Sequence, residues 1–263
     1  LGSAPIPKAL LAMGLPTMIG MMINALYNLV DAYFVGGLGT SQMGAISVAF
    51  PLGQVVVGLG LLFGNGAASY ISRLLGHGET ETADRVASTA LYSNISVGAV
   101  IIICTILFLR PILRLLGATE SILPYAEIYA GIYVVSSIFN IFNVTMNNIV
   151  TSEGAAKTTM CALLTGAVLN MVLDPVFIYV LHLGVAGAAI ATAISQIVST
   201  AVYLCYVFRK KSVFSFSIKK CCFSSEIMSE ILKIGIPTLV FQLLTSLSVA
   251  LINLKARPYG DSV

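Results

Sequence analysis

Seven apolar stretches, each long enough to cross a lipid bilayer as a helix, constrain this chain more than anything else in it. Cutting the sequence at its charge and glycine clusters leaves them near residues 9–37, 44–70, 87–109, 122–150, 158–181, 184–208 and 230–254. About 20 apolar residues suffice for one transmembrane helix. Inside a bilayer the backbone must satisfy its own polar groups, which leaves helices and closed barrels. A barrel would show segments of roughly ten residues that alternate polar and apolar side chains, and runs such as VGAVIIICTILFL do not alternate. The expected class is therefore an all-α integral membrane protein. With 10% charged residues, 57% hydrophobic residues and a mean hydropathy of +0.95, the composition lies far from the soluble norm of about 25% charged. The first stretch is too long for a signal peptide and has no small-residue cleavage site behind a short core. Leu1 is not a start methionine, so the true beginning is expected to be missing or trimmed.

Lys and Arg near span ends are retained on the cytoplasmic side. With the N-terminus inside, the inner segments hold ten of them: Lys8, Arg73, Arg85, Lys157, Arg209, Lys210, Lys211, Lys219, Lys220 and Lys233. The outer segments hold four, Arg110, Arg114, Lys255 and Arg257, so the expected N-terminus is cytoplasmic. The longest loop, FRKKSVFSFSIKKCCFSSE, follows the sixth stretch and reads as a linker. Being basic and mildly amphipathic, it reads as a segment lying on the membrane surface without a partner.

An internal repeat links the first and seventh stretches. GLPTMIGMMINAL from Gly14 resembles GIPTLVFQLLTSL from Gly235, with Pro16 on Pro237 and Thr17 on Thr238, and GLGT after the first meets YGDS after the seventh. Such repeats are common in secondary transporters, whose binding sites lie between or within the halves. The repeat predicts that a second half begins near residue 230 and continues for one helix only, so the chain is expected to be a fragment or truncated product. The second copy has Ile252 where the first has Asp31.

Two acids, Asp31 and Asp174, sit well inside apolar stretches. A charge at mid-bilayer costs about 2.5–3.5 kcal/mol on insertion scales. Asn24, Tyr27, Asn28 and Asp31 are spaced to share one helix face, a polar stripe that should face protein or water. Asn170 and Asp174 are four apart, and Pro175 follows directly. A proline inside a helix removes a backbone hydrogen bond, which frees the Met171 carbonyl beside the carboxylate. Thr192 and Ser195 add hydroxyls from the next stretch. Carboxylate, amide oxygen, hydroxyl and freed carbonyl are hard ligands, suited to Na⁺ or to a proton. Helix-to-helix bonding explains the amides and threonines as well; it explains two carboxylates poorly, since a leucine would pack in their place. Glu79, Glu81, Asp84, Glu120, Glu153, Glu226, Glu230 and Asp261 fall in loops or at helix ends and read as solvated surface charges, and Glu127 lies near a helix start.

Other chemistry finds little support. The five cysteines have neither metal nor disulfide-framework spacing, and His77 and His182 lie in loops. GLGLLFGNGAAS lacks the Gly-Lys-Ser/Thr of a Walker motif. The flanks LVDAY and VLDPV lack the Gly-x-Gly-Asp of intramembrane aspartyl proteases, so no enzyme is expected.

In order along the chain, PTMIGMMINALYNLVDAYFVGGLG, GAASYISRLLGHGE, LPYAEIYAGIY, EGAAKTTM, LNMVLDPVFIY and GVAGAAIATAISQ resemble the signatures of the multidrug and toxic compound extrusion (MATE) family, in its DinF-like and MepA-like bacterial branch. The resemblance implies a twelve-helix transporter of two six-helix lobes. The chain would cover the N-lobe (1–208), a basic cytoplasmic linker (209–229) and the first helix of the second lobe (230–263). It implies antiport of cationic or amphipathic drugs against Na⁺ or H⁺ in the plasma membrane, with no cofactor and no ATP. The partners implied are the bilayer, those small organic compounds and the absent second lobe, with no nucleic acid. It also implies an N-lobe cation site at Asp31, Asn170, Asp174 and Thr192, and a cleft lined by Asn24, Tyr27, Asn28 and Asn147. Pro16 matches the proline about which the first helix bends in some members, and Pro175 is a second candidate hinge. Alternatives are a flippase for a lipid-linked precursor, which would line its cavity with basic residues, and a non-transporting truncated fragment.

Overall fold

The computed structural model describes residues 6–222 and 224–259. Asp261 and most of the YGDS repeat lie outside them, as does the side chain of Lys8. The described residues form helices and connecting turns: α1 Ile6–Gly36, α2 Thr40–His77, α3 Thr80–Leu107, α4 Leu109–Leu115, α5 Leu123–Ser152, α6 Ala156–Pro175, α7 Val185–Phe208 and α8 Ser225–Ala256. All but α4 are long and apolar enough to span a bilayer. The chain runs up and down, so one end of the bundle, here called the base, collects the starts of α1, α3, α6 and α8 and the segment 209–224.

Helix ends differ from the apolar stretches for identifiable reasons. α2 has 38 residues, about 57 Å at 1.5 Å per residue, whereas the hydrocarbon core is about 30 Å thick. It runs on through Arg73 and stops at Gly78, where φ is +82°. There Gly78 N–H donates to Leu75 O and Glu79 N–H to Leu74 O, the paired bonds of a Schellman stop that a glycine in the left-handed region allows. The short α4 lies outside every apolar stretch; its Arg110 and Arg114 pair with Glu127 at 2.9 Å and Glu120 at 3.2 Å.

Two cores hold the bundle. The one near the base joins Phe63, Ile71, Val86, Ala90, Met146, Ile149 and Tyr203 to Phe214, Phe216 and Ile231. The other, at the distal end, joins Val35, Ala45, Val48, Leu113, Ile122, Ala126, Tyr129, Ile178 and Ala188. α2 lies at the centre and packs against α3, α5 and α8, whereas α1 leans almost wholly on α6. α1 accordingly exposes Leu11, Met18, Met21, Met22, Leu29 and Tyr33, an apolar face suited to lipid or to further protein.

Two readings of the sequence are corrected here. The segment after α7 is bonded to α3 and α5 along its length rather than lying partnerless. Asp84, read as a solvated surface charge, is 4% exposed and bound to Lys220 at 2.7 Å. Its partner lies 136 residues away, so no local pattern could reveal it.

Candidate functional site

The polar face of α1 meets α6 and α7 in the distal half of the bundle. Asp174 and Asn170 lie one turn apart on the buried side of α6, 0% and 2% exposed. With its amide turned to suit both neighbours, Asn170 donates to Asp174 Oδ2 at 3.0 Å and accepts from the Thr192 backbone N–H at 3.2 Å. Asp31 reaches in from α1, half-buried, with its carboxyl within side-chain hydrogen-bonding reach of that of Asp174. Tyr27, one turn before Asp31, pairs its hydroxyl with the side chain of Thr192 and stands near both acids. Five residues from three helices thus enclose one spot: Tyr27, Asp31, Asn170, Asp174 and Thr192. None of the ion pairs among the described residues involves either acid.

Pro175 decides how α6 leaves the site. It closes α6, and the chain continues as a π-helical turn, Val176–Val180. Since proline has no N–H, Met171 O loses its usual donor beside the carboxylates. The turn carries Tyr179, whose hydroxyl donates to Phe34 O at 2.6 Å and so ties the end of α1 to α6. Pro16 is buried within α1, which continues through it as one helix.

The remaining candidates fall elsewhere. Asn24 and Asn28 are exposed on α1 and bonded to each other, Asn28 Nδ2 donating to Asn24 Oδ1 at 2.9 Å. Asn147 belongs to a polar seam between α5 and α7, where it donates to Tyr203 OH at 3.2 Å. That seam also contains Asn143, which donates to Gln196 Oε1 at 2.7 Å and accepts from Thr200 at 2.9 Å; none of these three was singled out in the sequence. Nor were Tyr129 and Tyr133, whose rings stack 6.0 Å apart and whose hydroxyl-bearing sides approach Tyr27 and Asp31. Their spacing of four, in LPYAEIYAGIY, was the available signal.

Among the described residues no three His, Cys, Asp or Glu side chains cluster as metal ligands. What the site offers instead is two carboxylates, an amide and two hydroxyls, oxygen-rich chemistry that suits Na⁺ or a proton.

Comparisons with known proteins point the same way. The MatE family model matches residues 16–176. The multidrug export protein MepA of Staphylococcus aureus (strain NCTC 8325 / PS 47) is 34% identical over 259 residues, 98% of this chain and 57% of MepA. A crystal structure of MATE in complex with MaD3S superposes with a TM-score of 0.88 at 33% identity, covering 97% of this chain and 57% of that one. A MOP superfamily transporter from Pyrococcus furiosus, described as having a binding pocket of reverse polarity that suggests a different function, gives 0.85 at 34% identity, covering 90% and 52%. The chain thus spans little more than half the length of these relatives.

Proposed function

Because the chain belongs to the MatE family, we propose that it forms the cation-coupled lobe of a secondary antiporter, one that exports cationic or amphipathic organic compounds across the plasma membrane in exchange for Na⁺ or H⁺. Residues 1–208 make the lobe, 209–229 the linker and 230–263 the start of a second lobe. Export itself is proposed for a polypeptide that carries both lobes. The base faces the cytoplasm, in keeping with the excess of Lys and Arg there. No cofactor is needed, and no enzymatic step is assigned.

The observation that carries this reading is the meeting of Asp31 with Asp174. Two like charges about 4 Å apart repel by about 4 kcal/mol at an effective dielectric of about 20. One shared proton or Na⁺ removes that repulsion and lets α1 settle on α6. Since α1 has little other support in the lobe, occupancy of the site biases where α1 stands. The outward face of α1, with Asn24 and Asn28, would line the drug cleft and move with it. A ligand shifts such an equilibrium only by its differential affinity for the two positions; here the difference is whether Asp31 contributes to the site.

The test is efflux of a fluorescent cationic dye from vesicles carrying the two-lobed protein. Asp31→Asn and Asp174→Asn are each expected to abolish the dependence of efflux on the imposed ion gradient. Efflux that keeps its rate and its ion dependence in both variants overturns the mechanism.

A further inference from the structure

Past the buried carboxylate of Asp174, α6 gives up α-helical spacing. Pro175 closes it, and in the π-helical turn Val176–Val180 the Leu181 N–H donates to Val176 O at 2.9 Å, five residues back. In an α-helix of 3.6 residues per turn, the residue five positions after Asp174 would point about 140° away from it. The wider π-turn brings Tyr179 back toward the side of Asp174. Both residues accordingly meet α1: Asp174 at Asp31, and Tyr179 at Phe34, one turn further along the same face of that helix.

The turn that carries Tyr179 is braced from behind. Gly187 of α7 lies so close to it that a Cβ there would come within 2.8 Å of Phe177 C and O and 3.0 Å of Ile178 N. Ile178 is 2% exposed and shares the distal core with Val35 of α1. From this support Tyr179 OH donates to Phe34 O at 2.6 Å, and the two rings meet edge to face with centroids 6.2 Å apart. Phe34 O belongs to the last turn of α1, whose carbonyls have no donor in the regular helical pattern. Gly37 makes room for the hydroxyl. A Cβ on Gly37 would collide with that hydroxyl, whereas its other neighbours, Phe34 O at 3.4 Å and Tyr179 Cζ at 3.5 Å, lie at ordinary contact distances.

We propose that Tyr179 is a positioning residue for the cation site: its hydroxyl holds the distal end of α1, so that Asp31 stands against Asp174 before an ion arrives. In the empty site two ionised carboxylates repel and push α1 away from α6. The bond to Phe34 O opposes that push from outside the site. A site whose competent arrangement is only partly populated binds with an affinity reduced by that fraction. Tyr179 therefore tunes the apparent ion affinity without touching the ion. This role rests on the cation-site reading above; the hydrogen bond does not.

The experiment titrates the melting temperature of the two-lobed protein in detergent against Na⁺ at fixed pH, and separately against pH. Tyr179→Phe removes the hydroxyl and keeps the ring. It should raise the half-saturating Na⁺ or proton concentration about two- to tenfold, the worth of one hydrogen bond. Gly37→Ala drives the hydroxyl off its acceptor and should do the same, while Gly36→Ala, whose Cβ meets nothing within 4 Å, should leave that concentration unchanged. In the Tyr179→Phe background the new methyl group meets no hydroxyl, so Gly37→Ala should add nothing there. A bond that serves packing alone would lower the melting temperature equally at every ion concentration and leave the half-saturating concentration in place, which overturns the proposal. A Gly37→Ala effect that persists in full beside Tyr179→Phe overturns it as well. A wild type whose melting temperature answers neither Na⁺ nor pH refutes the cation-site reading and this role with it, and the double-variant cycle in melting temperature still decides the bond.

Discussion

Tyr27 is the residue through which the polar stripe of α1 becomes part of an enclosed site. Asn24 and Asn28 on the same stripe bond each other at the surface, whereas the Tyr27 hydroxyl crosses to Thr192 on α7. A hydrogen bond of this kind contributes about 0.5–1.5 kcal/mol. Tyr27→Phe keeps the ring packing and removes that bond alone. It is expected to raise the Na⁺ or proton concentration for half-maximal stabilisation up to about tenfold, and to lower the melting temperature in the absence of the ion by no more than the loss of that one bond explains. Titrating the melting temperature of the purified chain against Na⁺, and separately against pH, measures both quantities. The cost of a charge in lipid singles out Asp31 and Asp174 in the sequence, and helical spacing adds Asn170, whereas the choice of Thr192 over Ser195 came from the family resemblance alone. Tyr129 and Tyr133 were not legible, because a tyrosine in an apolar helix has the same local pattern whether its hydroxyl faces a site or a neighbouring helix.

Between elements, the crossing of α2 and α8 is set by glycines that permit backbone contact. GLGLLFGNGAAS carries the closely spaced glycines of α2, but nothing in the sequence says that residues more than 160 positions later, Ile231 and Gly235, pack against them. Gly235→Ala puts a methyl group against the Leu62 carbonyl and is expected to cost about 1–3 kcal/mol through overpacking. Gly76→Ala, also in α2, meets nothing within 4 Å and should gain up to about 1 kcal/mol from helix propensity. Melting the purified chain in detergent with each substitution checks the contrast. The segment after α7 adds a pH dependence of its own. Burial pushes the Glu153 carboxyl above its ordinary range, although hydrogen bonds from Tyr206, Val213 and Ser212 pull it down. The folded chain therefore keeps this proton to higher pH than the unfolded one. Stability from this group is complete below the unfolded carboxylate pKa and is lost as pH rises through the raised value. Glu153→Gln, still able to accept the bonds from Ser212 and Val213, should match the wild type in acid and melt above it at neutral pH. A wild type that gains on the variant as pH rises would show the sign to be wrong.

For the whole molecule, apolar length was enough to predict seven spanning helices, since the bilayer rather than tertiary contact dictates them. It could not predict α4, whose Arg110 and Arg114 pair with the helix and loop that follow, nor the extension of α2 beyond its apolar stretch to bring Arg73 to Glu230. Orientation is a property at this scale too, because it depends on the sum of basic residues and not on any one of them. The proposed cation site lies in the distal half, with Thr192 the eighth residue of α7, about 10 Å along its axis, and therefore lies toward the outside if the base is cytoplasmic. With the five native cysteines replaced, one cysteine placed at His182, exposed in the distal turn, and another at Lys157, exposed at the base, test this separately. The His182→Cys protein should react with a membrane-impermeant maleimide in intact cells, and the Lys157→Cys protein only after permeabilisation. The opposite pattern would put the base outside and overturn the proposed orientation.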